Sequence, residues 1–111
     1  MQYALLIYGR PEHPSGPMED EVATVLSRPQ VTGWARLHSE ESATTLRDRD
    51  GQPLMTDGPF IDSKEYLAGL VVIDVDNLDA ALAVAQDLQD ARHGGGAIEI
   101  RPMLESLFRG T

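Results

Sequence analysis

Between Tyr66 and Asp74 the chain runs through Leu70-Val71-Val72-Ile73 without a polar interruption. A continuous, β-branched run bounded by turn residues has no solvated side, and it predicts a strand buried on both faces at the centre of a sheet. The remainder of the chain has to supply the neighbouring strands and a covering layer.

Those pieces can be read in order. Tyr3 to Tyr8 is a second apolar run, stopped by Gly9-Arg10-Pro11, and predicts the first strand. Pro11, Pro14, Gly16 and Pro17 fall within seven residues and predict a loop. Met18, Val22, Val25 and Leu26 then recur at helical spacing, with Glu19, Asp20 and Glu21 in the first turn where the helix dipole favours negative charge. This short helix ends before Pro29. Val31 to His38 and Ala43 to Arg47 read as strands bracketing residues 39–42, and Asp50-Gly51 signals a tight turn. Gln52 to Thr56 returns as the hairpin partner and stops at Asp57-Gly58-Pro59-Phe60, a structured loop. Asn77 is placed to cap a second helix with a stripe of Leu78, Ala81, Leu82, Ala85 and Leu88. Gly94-Gly95-Gly96 breaks it, and Ala97 to Pro102 alternates as the last strand. The sum is an α+β fold of the ferredoxin-like kind, an antiparallel sheet with two helices on one face and the other face open. An open apolar face calls for a partner, and a second copy of the chain is the simplest one.

Composition narrows the class. The 111 residues suit a single domain, 1–111, whose core is aliphatic because the chain has only two Phe and one Trp. Nine basic against eighteen acidic residues give a net charge of −9, which repels nucleic-acid phosphates and anionic membranes. There is no cysteine, hence no disulfide or thiolate chemistry. The first apolar run is too short and lacks the basic flank of a leader, and no later run reaches membrane-span length, so a cytoplasmic protein is expected.

Ala43-Thr44-Thr45-Leu46-Arg47, then Asp50-Gly51, then Thr56-Asp57-Gly58-Pro59-Phe60-Ile61-Asp62-Ser63-Lys64-Glu65 together resemble the DGPF signature of YCII-related proteins. Leu67-Ala68-Gly69, the segment Ile73 to Ala81 and Glu99-Ile100-Arg101-Pro102 extend the likeness over most of the chain. The resemblance implies a ferredoxin-like dimeric α/β barrel with a pocket between sheet and loops, in a bacterial family whose members are often encoded beside alternative sigma factors. One related branch includes proteins in which a His–Asp pair is proposed as catalytic, with the His on the first helix, but residues Met18 to Arg28 contain no His here.

Within that frame Asp57 and His38 are the candidate catalytic residues. Gly58 and Pro59 fix the shape of the loop that starts at Asp57, as a general base or ligand anchor requires; the turn itself is the competing use of that carboxylate. His38 shares one strand face with Arg36 by period-two spacing, and a nearby carboxylate would hold its imidazolium ready as a proton donor; a strand-end packing role competes. Arg36, Lys64 and Glu65 are the candidate substrate-binding residues, with Lys64 as a cation for an anionic substrate and Glu65 as a second carboxylate. His93, just before the glycines, is expected to close the end of the second helix. No two of the three His residues stand at ligand spacing and no calcium loop is present, so neither a metal site nor a cofactor is expected. Two functions remain open. One is a small enzyme using acid/base chemistry on a small polar or anionic substrate; the other is a non-catalytic ligand-binding or regulatory homodimer, linked in the second case to a sigma factor.

Overall fold

The computed structural model describes residues 1–10, 16–61, 64–93 and 95–108. Pro11, His13 and Pro14 of the expected loop, Asp62 and Ser63 of the signature, and Gly94 of the glycine run lie outside them.

In chain order the elements are β1 (Gln2–Gly9), α1 (Asp20–Leu26), β2 (Val31–Arg36), a 3-10 turn (Glu40–Ser42), β3 (Thr44–Arg49), β4 (Gln52–Asp57), β5 (Tyr66–Asp74), α2 (Leu78–Ala91) and β6 (Ala97–Pro102). The four-stranded sheet has the order β2-β5-β1-β6, with antiparallel pairing throughout. The chain is therefore α+β, and the expected central strand is central. Val71, Val72 and Ile73 are consecutive buried residues, flanked by β2 on one side and β1 on the other.

One face carries the core. Tyr3 and Leu5 of β1 stand across from Ile73 and Val71 of β5, and these four pack against Val25 and Leu26 of α1 and the inner face of α2. Leu5 and Ile73 are fully buried, worth about 1.5–3 kcal/mol each in apolar surface removed from water. No described helix is long and apolar enough to cross a membrane.

Three expectations need correction. The buried face of α2 is Ala81, Val84, Ala85, Leu88 and Ala91, whereas Leu78 and Leu82 are half exposed. Both stripes obey the same spacing, but small alanines let the helix lie close to the sheet, which turns the bulkier leucines outward. Helix α1 starts two residues after Met18, because Glu19 has an extended backbone at the N-cap. Strand β2 stops at Arg36, and only the Leu37 N–H still donates to the sheet, to the Ala68 carbonyl. His38 therefore follows the strand, in the segment leading to the 3-10 turn.

The sheet does not close on itself, since β2 and β6 are its edges. The β3–β4 hairpin forms a separate two-stranded sheet in which Leu46 faces Met55 across the ladder, 68% and 69% exposed. The radius of gyration, 15.5 Å, exceeds the roughly 13 Å of a compact chain near this length, in keeping with a hairpin that stands away from the body.

Candidate functional site

Pairing across the sheet lines up Ile7 of β1, Gly69 of β5 and Arg36 of β2 in one row on the helix-covered face. The next row toward the core is Leu5, Val71 and Trp34. In the second row Leu5 and Val71 are buried in the core, but in the first the middle position has no side chain. A β-carbon at Gly69 would come within 2.6 Å of the Ala35 carbonyl oxygen, so the close pairing of β5 with β2 demands glycine there. The missing side chain leaves a floor, and above it opens a cavity of about 510 Å³.

Its walls come from both helices. Met18, Glu19 and Val22 bound it from the start of α1, and Leu88, Arg92 and His93 from the end of α2. Arg10, just past β1, and Arg36 from the floor complete a lining with three of the nine basic residues in the chain. The arginines differ in what they do. Arg92 donates to the carbonyl oxygens of Tyr8 at 2.9 Å and Gly95 at 2.7 Å, and to Gln89 Oε1 at 3.0 Å, which ties the end of α2 to the end of β1. Burial pushes its guanidinium below the ordinary arginine value, partly opposed by Tyr66, although a guanidinium keeps its charge near neutral pH. Arg36 is exposed and, among the described residues, donates only to the Gly16 carbonyl, at 2.6 Å. Its remaining donors are open to a ligand.

At the lip of the cavity the two helix ends meet. His93 closes α2 as expected, its N–H donating to the Asp90 carbonyl at 3.1 Å. Its ring reaches α1, with Nε2 3.3 Å from Glu19 Oε2 and 3.5 Å from Glu21 Oε2.

The family model for the YCII-related domain matches residues 1–106. The chain belongs to the YCII-related family. An uncharacterized protein of Rhizobium meliloti (strain 1021) is 44% identical over 69 residues, 62% of this YCII-related chain. The match spans 56% of that relative, so it covers little more than half of the relative's length.

Of the five candidate catalytic and substrate-binding residues, Arg36 alone lines the cavity of this YCII-related protein. Asp57 is the last residue of β4, exposed and opposite Thr44. The turn after it is anchored by its neighbours: the Gly58 N–H donates to the Ala43 carbonyl at 2.7 Å, and the buried Thr45 hydroxyl donates to the Gly58 carbonyl at 2.8 Å. Phe60 of the signature lies under the Arg47 guanidinium, 4.7 Å from ring centre to Cζ, so the loop folds back on its own hairpin. His38 is exposed, and among the described residues no hydrogen bond or ion pair joins it to Asp57. Exposed Lys64 and half-buried Glu65 precede β5, outside the cavity lining. Sequence reasoning missed Arg10, Trp34, Glu19, Arg92 and His93 as neighbours of Arg36. Trp34 was within reach, because the spacing that linked Arg36 to His38 also links it to Trp34.

Proposed function

We propose that the chain binds a small anionic molecule in the cavity over Gly69, held by Arg36 and Arg10, and does so as a homodimer. The observation that carries this reading is the gathering of three arginines around one ligand-sized space in a chain of net charge −9. A guanidinium with free donors matches a carboxylate or phosphate in charge and geometry. The cavity volume suits a metabolite-sized occupant. Binding is favoured over turnover by Asp57 and His38, because no contact joins those two side chains and neither lines the cavity.

The homodimer is supported by the hairpin. A two-stranded ribbon alone is marginal in water, yet this one displays Leu46 and Met55, with Phe60 and Ile61 beyond it, all exposed. A second copy packed on the hairpin and the open sheet face would cover them. Light scattering on a sizing column is expected to give twice 12.1 kDa; a monodisperse monomer would overturn the dimer without touching the cavity.

The single tryptophan, Trp34, lines the cavity, so intrinsic fluorescence reports on it directly. Titration with inorganic phosphate, pyruvate and malonate is expected to give a saturable change in Trp34 emission with at least one of them. The response should vanish in Arg36→Ala. Emission indifferent to all three at millimolar concentration would count against the anion reading.

A further inference from the structure

We propose that Glu19, Glu21 and His93 form a binding site for a divalent transition metal ion of the zinc class, at the lip of the cavity. The three ligand atoms lie within 4.8 Å of one another, a convergence not repeated among the described residues. They are brought together by the fold, since seventy residues separate the start of α1 from the end of α2.

All three side chains are exposed, and three features support an ion between them. The first is distance: ligands held about 2.0–2.1 Å from a tetrahedral zinc ion stand roughly 3.3–3.4 Å apart, and His93 Nε2 stands 3.3 and 3.5 Å from the two carboxylate oxygens. The second is the use of Glu19. It occupies the N-cap of α1, yet its side chain makes no capping hydrogen bond and reaches toward His93 instead. His93 itself has a φ of 57°, in the left-handed region where His is enriched among non-glycine residues, as suits its place at the end of α2. The third is placement: Glu19 and His93 both line the cavity, so an ion with three protein ligands would turn its open coordination position toward the space that Arg36 and Arg10 flank. One nitrogen and two carboxylate oxygens suit zinc, cobalt or manganese better than copper(I) or an iron–sulfur cluster. Metal binding does not depend on the anion reading, because its ligands are other residues and it is measured with no anion added.

The test is titration of the metal-stripped full-length chain with Co²⁺, followed by visible d–d absorption, with Zn²⁺ displacement as the second readout. One equivalent per chain is expected, and Glu21→Gln and His93→Asn should each weaken binding at least tenfold. Asparagine tolerates the left-handed backbone, so the His93 variant keeps the helix end, and an unchanged far-ultraviolet dichroism spectrum checks this. His13→Asn and His38→Asn should bind as the parent does. Absence of a saturable Co²⁺ band, or loss of the band in the His13 or His38 variant while His93→Asn retains it, would overturn the site.

Discussion

The two ends of the helix-covered sheet face are built from the same strands and reach opposite results. At one end Tyr3, Leu5 and Ile73 are buried beneath the helices. At the other, the row Ile7, Gly69, Arg36 replaces an apolar trio with a bare glycine and a cation, and a cavity opens. The helices differ in the same sense. Helix α2 begins near the closed end, where Asn77 accepts the Ala80 N–H at 2.9 Å, and finishes at the open end on the left-handed His93. Stability is concentrated at one end of this face, and chemically useful side chains at the other.

The comparison can be broken by substitution. The largest effect is expected at the closed end: Leu5→Ala removes a fully buried side chain and should cost about 2–5 kcal/mol in urea denaturation. A cost below about 1 kcal/mol would mean that this end is not the packed one. At the open end Gly69→Ala forces a β-carbon against the Ala35 carbonyl, for an expected loss of about 1–3 kcal/mol. The same variant should weaken anion binding, because the new methyl group stands on the cavity floor. Asn77→Ala should cost about 1 kcal/mol by removing the cap, with no change in Trp34 fluorescence titrations. Arg36→Ala sharpens the contrast most: an exposed side chain with one backbone contact should change stability by no more than about 0.5 kcal/mol while abolishing the anion response.

Periodicity and punctuation made most of the fold legible in the sequence. The run Leu70 to Ile73 marked the central strand, Asn77 marked the start of α2, and the glycines after His93 marked its end. What failed depended on information that spacing does not carry. Two stripes of α2 fit the helical repeat, and only contact with the sheet decides that Val84 and Ala91 go inward while Leu78 and Leu82 do not. His38 looked like a strand residue because local composition does not show that β2 stops pairing after Leu37. The candidate site was the least legible part. Asp57 stood out through its family signature, whereas Arg10, Glu19, Arg92 and His93 come from separate segments that meet only in three dimensions. Spacing rules look for metal ligands within one element, so a pair such as Glu19 and His93 escapes them.

The central claim is that the functional surface lies over Gly69 and not at the loop that begins at Asp57. Amide chemical-shift mapping during titration with phosphate, pyruvate and malonate tests it most directly. The account predicts that the amides of Ile7, Gly9, Arg36, Gly69 and Gly95 move together along one saturable curve while those of Asp57, Gly58 and Lys64 stay in place. Shifts confined to Asp57, Gly58 and Lys64, with the Gly69 row unmoved, would contradict it.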